Sequence, residues 1–122
     1  MKEKLIRDGL AAVVPESRTC TDVVEFTEFL LKKYSEETKE FQFALSELSL
    51  CENDEEYIET CDEIFFEAAD VLQVLVSICS KFTNVTEKEA LNEINDRLEY
   101  KSDKLGTFKS QTIMINQEHT LH

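Results

Sequence analysis

The stretch from Ile64 to Cys79 restricts the fold most, because its apolar side chains cover nearly the whole circumference of an α-helix. A helix that is apolar on all sides is the central helix of a bundle or lies in a dimer interface. Glu63, Glu67 and Asp70 form one acidic stripe along it at helical spacing. Because charged side chains are rarely buried unless they are paired or bound to a metal, this stripe faces either water or an ion.

Glycine and proline are too scarce for a β-rich fold. The 122 residues include two glycines and one proline, whereas β-hairpin turns need many such residues. Runs of Glu, Leu, Lys and Ala favour helices. We therefore predict one all-α domain over residues 1–122, with an arm at 1–15, core helices within 22–103 and a C-terminal arm at 104–122.

Three pairs of residues have the spacing of a capping box, in which a polar residue is followed three positions later by Glu. The pairs and the helices that they predict are Asp22 with Glu25 for residues 22–49, Asn53 with Glu56 for 54–82, and Thr86 with Glu89 for 86–103. Residues 4–14 suit a short helical turn or an arm over the core. The alternating residues 107–115 suit an extended arm.

The first predicted helix carries carboxylates within its own apolar face. On a helical wheel at about 100° per residue, the apolar side chains gather on one side of this helix. They are Val23, Phe26, Leu30, Tyr34, Phe41, Leu45 and Leu48. Glu37 falls near the middle of that side, Glu40 lies at its edge and Glu36 lies just beyond. A solvated helix face is the alternative interpretation for these three residues, but the position of Glu37 favours a functional role.

A short connection favours antiparallel packing of the first two helices, which would bring Glu37, Glu40, Glu67 and Asp70 together. An oxygen-only cluster suits Mg²⁺, which takes oxygen ligands at about 2.0–2.1 Å and completes its shell with water and substrate phosphate. Mn²⁺ accepts similar ligands. The alternative for Glu67 and Asp70 is a polar strip that faces solvent. Di-iron bundles need a Glu-x-x-His pattern, and the first histidine here is His119.

The charge balance narrows the class of partner. The chain has 13 Lys and Arg against 26 Asp and Glu, a formal net charge of −13 at pH 7. Such a surface repels a nucleic-acid polymer, so we expect none as a partner, whereas a small polyanion that arrives with divalent cations is compatible. Four cysteines without a C-x-x-C pair, no apolar leader and no uninterrupted apolar run predict a cytoplasmic protein without a membrane span.

Four segments, in this order along the chain, resemble a known family. SEETKE and FEAADVLQVL are similar to the E-E-x-x-E and E-x-x-D signature of the all-α nucleoside triphosphate pyrophosphohydrolases, the MazG-like and phosphoribosyl-ATP pyrophosphohydrolase-like superfamily. KLIRDGL resembles the K-L-V-R-D-K-I opening of one branch, and KSDKLGTFKSQTIMI resembles its closing K-x-x-x-R-G-G-F and apolar strand. The resemblance covers roughly residues 4–115.

This resemblance implies a MazG-like bundle of three to four main helices, completed as a homodimer or homotetramer. It also implies Mg²⁺-dependent cleavage of the α-β phosphoanhydride of a (d)NTP or related nucleotide to monophosphate and pyrophosphate, for example in nucleotide-pool housecleaning. Glu36 would orient or deprotonate the attacking water, with the division of roles between Glu36 and Glu37 left open. By the same resemblance, the metal ligands would be Glu37, Glu40, Glu67 and Asp70.

Basic residues near both ends of the chain are candidates for contacts to substrate phosphate, with simple charge balance as the alternative. They are Lys101, which matches the family's lysine, Lys104, Lys4 and Arg7. Leu105 and Thr107 stand where the family has arginine and its second glycine, and Gly9 and Ala11 replace a lysine and a proline of the opening motif. These departures favour an alternative function, a catalytically silent helical nucleotide-binding or scaffold protein of the same fold.

Overall fold

The computed structural model describes residues 3–115, which form α-helices, one 3-10 turn and connecting segments but no strand. The elements in chain order are α1 (Asp8–Ala11), α2 (Val23–Ser46), a 3-10 turn (Glu47–Leu50), α3 (Asp54–Thr83) and α4 (Glu87–Leu105). The predicted all-α class is therefore confirmed.

The three long helices begin where the capping signals predict. In each case a side-chain oxygen of the cap accepts a hydrogen bond from the backbone N–H three residues later, which satisfies a donor that the helix leaves free. The pairs are Asp22 with Glu25 (2.9 Å), Asn53 with Glu56 (2.8 Å) and Thr86 with Glu89 (3.1 Å). At its other end α3 stops at Asn84, which adopts a left-handed conformation with φ 57°.

Backbone contacts divide the chain into two compact units, Met1–Ala90 and Leu91–His122. In the first unit α2 and α3 pack against each other, and their facing residues run in opposite directions along the chain, as expected for antiparallel helices. The buried positions of α2 are Leu30, Glu37 and Ala44, which recur at heptad spacing. A carboxylate therefore occupies a position in the helix pair where an apolar residue would pack.

The apolar circumference of α3 is only partly covered in the single chain. Val74 and Val76 are buried, whereas Phe65 and Phe66 are 76% and 69% exposed. These two phenylalanines therefore do not lie in a core formed by the described residues, because α2 covers only one side of α3. To be covered on all sides, as its apolar circumference predicts, α3 needs to pack against a further helix or a second chain.

The apolar face that the wheel assigns to α2 is also wider than the buried face. Val23, Tyr34 and Leu45 belong to the predicted face but remain exposed. A single facing helix covers a narrower strip than a full bundle does, which leaves the edges of the stripe in solvent.

The described residues from Glu3 onward form an arm that is attached to the start of α2. The Arg18 guanidinium donates hydrogen bonds of 2.6 Å to Glu3 and to Glu25. The hydrogen bond from Arg18 to Glu25 lowers the pKa of the Glu25 carboxyl, with a further contribution from the Thr21 backbone N–H. Because α1 is one short helical turn within this arm, the expectation for residues 4–14 is confirmed.

In the second unit the arm after α4 is not continuously extended. The backbone N–H of Gln111 donates to the carbonyl of Phe108 at 3.2 Å, and Gln111 has φ 56°, so a turn interrupts the arm. The extended conformation predicted for residues 107–115 is wrong at this turn, and the remainder of the predicted arm, 116–122, lies outside the described residues.

Two further features concern the described chain. The four cysteines, Cys20, Cys51, Cys61 and Cys79, are free thiols and half-buried. No helix among residues 3–115 combines enough length with enough hydropathy to cross a membrane.

Candidate metal centre

Carboxylates from α2 and α3 meet in two overlapping groups. Glu36, Glu37 and Glu40 form the first group, and Glu37, Glu67 and Asp70 form the second. Within each group the carboxylate oxygens lie within 4.8 Å of one another, so a single small cation could contact several of them. The two motifs that were separated in the sequence are thus brought together, and Glu37 belongs to both groups. We call these five residues the acidic cluster.

Glu37 is the most informative member of the acidic cluster. Only 6% of its surface is exposed, and its Oε2 atom is buried with no hydrogen-bond partner among the described residues. Glu67 has a buried, unpartnered Oε2 as well. An unpartnered buried carboxylate oxygen is costly, and a hard divalent cation is the partner that such oxygens fit. The donor set therefore suits Mg²⁺ or Mn²⁺.

Lys33 also belongs to this region, although the sequence analysis missed it. Its Nζ lies 3.1 Å from Oε1 of Glu37 and 3.7 Å from Oε1 of Glu36. Burial alone would lower the pKa of Lys33, but the hydrogen bond with Glu37 and the neighbouring carboxylate charges raise it. The signal was present in the sequence, because Lys33 stands three and four residues before these glutamates on the same helix.

The N-terminal arm places its two basic candidates against the acidic cluster. Nη2 of Arg7 lies 2.6 Å from Oδ1 of Asp70, and Nζ of Lys4 lies 3.7 Å from Oε1 of Glu36. Lys101 and Lys104 are exposed residues of α4 within the second unit, so contact of these two lysines with phosphate stays a prediction.

Two carboxylates of the acidic cluster, Glu40 and Glu67, have a raised pKa and so hold a proton more tightly than an isolated glutamate does. Burial raises the pKa of Glu67 to about 7, and a hydrogen bond that the protonated Glu67 donates to Glu63, together with the charges of Glu40 and Asp70, adds to this shift. Burial and the charge of Glu37 raise the pKa of Glu40 in the same way. Without a cation, the acidic cluster therefore favours partial protonation.

The raised pKa of Glu67 predicts an unusual pH dependence of stability. The pKa of Glu67 lies above its ordinary value of 4.5 in the folded chain, so the folded state binds this proton more tightly than the unfolded state. In the presence of EDTA, the melting temperature should rise as the pH falls from about 7.5 to about 5.5, because this contribution grows below the folded pKa.

The matched comparison is Glu67→Gln, which should show a smaller rise in melting temperature over the same pH interval. Subtracting the two curves removes the general effect of titrating an acidic protein. Parallel curves for the wild-type protein and the variant would show that Glu67 does not titrate in this interval.

A cavity of about 460 Å³ lies beside the acidic cluster, between α2 and α3. Glu40 and Glu67 line both the cavity and the acidic cluster, so the two are continuous. Farther from the acidic cluster, Phe43 on α2 and Glu59 on α3 line the same cavity. The sequence analysis did not single out this half of the helix pair, because no motif marks it.

The acidic cluster thus offers a set of oxygen ligands with basic side chains from the arm at its edge. The resemblance to the pyrophosphohydrolases stays a prediction that rests on the sequence motifs. Comparisons with family models, with curated proteins and with solved structures found no match to this chain.

Proposed function

We propose that this chain is a Mg²⁺-dependent nucleotide pyrophosphohydrolase that cleaves a nucleoside triphosphate or related nucleotide to monophosphate and pyrophosphate. The observation that carries the proposal is the convergence of carboxylates from two helices around the buried, unpartnered Oε2 of Glu37. An ion there would relieve both the missing partner and the repulsion between carboxylates. The four ordered sequence motifs support the same reaction.

In this proposal the carboxylates of Glu37, Glu40, Glu67 and Asp70 hold Mg²⁺, or Mn²⁺ in its place. The bound ion supplies charge neutralisation for the phosphates and makes water a better nucleophile. Glu36 is suited to orient the attacking water and accept its proton, because its carboxylate is a third exposed and borders the acidic cluster.

Arg7 and Lys4 are suited to contact the phosphates of the substrate. A polyanion that approaches a chain of net charge −13 needs local cations. Both side chains are more than half exposed, and both already lie against the acidic cluster. Exposed ion pairs hold weakly, so each cation can exchange a carboxylate for a phosphate at little cost.

The direct test follows pyrophosphate release from a panel of ribonucleoside and deoxyribonucleoside triphosphates with Mg²⁺, Mn²⁺ or EDTA. We expect release from at least one nucleotide, and its loss in EDTA. Glu36→Gln should retain Mg²⁺ binding, measured by calorimetry, while it loses turnover. No release from any nucleotide would reject the enzyme proposal.

A second candidate function is a catalytically silent nucleotide-binding or scaffold protein of the same fold. It is favoured by Leu105 and Thr107, which replace the arginine and the second glycine of the motif that the sequence resembles. The same assay separates the two functions. Thermal stabilisation by nucleotide with Mg²⁺, without pyrophosphate release, would support the silent protein.

We also propose that the protein works as a homodimer or as a dimer of dimers. The support is the exposed apolar surface of α3, where Phe65 and Phe66 are mostly uncovered by the residues that the structure describes. Large apolar side chains that a chain in solution leaves exposed together on one helix are a feature of protein interfaces. A second copy that covers α3 would complete the bundle that the sequence predicts.

A further inference from the structure

If the chain acts as proposed, the cavity between α2 and α3 has room for the nucleoside part of the substrate, so the role inferred for this cavity rests on the proposed function. Its volume of about 460 Å³ falls within the range of small-molecule sites in proteins, roughly 300–1,000 Å³. Glu40 and Glu67 belong to the acidic cluster and also line the cavity. A nucleotide whose phosphates lie at the acidic cluster would therefore reach the cavity with its nucleoside part.

The charges around the cavity determine which end of a nucleotide can enter it. Beyond the residues shared with the acidic cluster, the lining includes the carboxylates of Glu47, Glu59 and Glu63 and one cation, Lys39. Phosphates would be repelled there, whereas the arm offers Arg7 at the acidic cluster. The cavity therefore suits the uncharged end of the substrate, which is its base.

Phe43 supplies the surface on which a base can stack. Its side chain lines the cavity and is 66% exposed, so its ring is available to a ligand. Stacking of a base on an aromatic ring contributes to binding without regard to base identity. Discrimination between bases must therefore come from hydrogen bonds with the polar side chains of the cavity, and most of these side chains are acceptors.

We propose that this cavity binds the base of the nucleotide and selects a base that carries an exocyclic amino group over uracil or thymine. Carboxylates accept hydrogen bonds from amino groups, and a carboxylate paired with the cytosine N4 amine is a standard recognition pair. Uracil carries a carbonyl oxygen, O4, where cytosine carries its amino group, so it has no proton at that position to share with the carboxylates of Glu59 and Glu63 that line the cavity. Cytosine and uracil are therefore the sharpest pair for comparison.

The test uses analogues of CTP and UTP in which a methylene group replaces the oxygen between the α and β phosphorus atoms, so that neither can be cleaved there. Binding to the full-length protein is measured by calorimetry with Mg²⁺. We expect the CTP analogue to bind about tenfold more tightly than the UTP analogue. Phe43→Leu should weaken both analogues by about tenfold, because it removes the stacking surface.

The variant that tests selectivity is Glu59→Gln, alone and combined with Glu63→Gln. Glutamine can donate a hydrogen bond to O4 of uracil, so the preference for the CTP analogue should narrow or reverse. Glu55→Gln is the matched control, because Glu55 is exposed on the same helix and does not line the cavity. It should leave both affinities unchanged.

Equal affinities for the two analogues, or no binding of either, would overturn the inference. A preference that Glu59→Gln and Glu63→Gln together leave unchanged would also overturn it, because the selecting groups would then lie elsewhere. Pyrophosphate release by the same preparation tells the two proposals apart. Release without base preference rejects only the base site, whereas no release from any triphosphate rejects the proposed function.

Discussion

Glu67→Gln and Asp70→Asn are each expected to lower kcat/KM for pyrophosphate release by at least about a hundredfold and to weaken Mg²⁺ binding. Glu67 and Asp70 form one group of carboxylates with Glu37, and each substitution turns one of these carboxylates into a neutral amide. An amide oxygen is a weaker ligand for a hard cation and does not neutralise its charge. Calorimetry with Mg²⁺ alone measures the loss of affinity separately from turnover.

The same substitutions should leave the helical fold intact. Without Mg²⁺, Glu67→Gln should keep or raise the melting temperature near neutral pH, because it removes one of the carboxylates that repel one another. Asp62→Asn is the matched control for Asp70→Asn, since Asp62 is exposed on α3 and lies outside the acidic cluster. Full turnover in Asp70→Asn would remove this residue from the site.

The double substitution of Phe65→Asp with Phe66→Asp is expected to convert the proposed dimer into monomers. The two rings are mostly exposed in the single chain, and covering a phenylalanine side chain contributes about 1.5–3 kcal/mol. Loss of both on each chain should weaken a dimer by more than about a hundredfold in Kd. Light scattering coupled to size-exclusion chromatography measures the change in mass.

The control for this experiment is Phe108→Asp, which changes a ring that is 96% exposed and lies outside α3. It should leave the mass of the assembly unchanged. A wild-type protein that runs as a monomer at micromolar concentration would contradict the dimer proposal. So would a double variant whose mass equals that of the wild-type protein.

Local signals explain why the helix boundaries were predictable. A capping side chain acts on the backbone within three residues, so Asn53 marks the start of α3 without reference to the rest of the fold. The burial of Glu37 was predictable for a similar reason, because helical periodicity alone puts it on the apolar face. Both predictions needed information from one helix only.

Contacts between distant parts of the chain were not accessible in this way. Arg7 and Asp70 are 63 positions apart, and their ion pair depends on the path of the arm rather than on any motif. The exposure of Phe65 and Phe66 likewise depends on how many helices surround α3, which periodicity does not report. Sequence reasoning therefore found the carboxylates of the acidic cluster, but it found neither their ion pairs nor the cavity beside them.

The ion pair between Arg7 and Asp70 has a consequence for how the site fills. A guanidinium that holds a carboxylate oxygen at 2.6 Å competes with any cation for that oxygen. In the proposed function, nucleotide phosphates that draw Arg7 away would free Asp70 for Mg²⁺, and each ligand would then raise the affinity for the other by the same factor. The two ligands would then bind cooperatively, and Mg²⁺ titrated alone would bind more weakly than Mg²⁺ titrated with nucleotide.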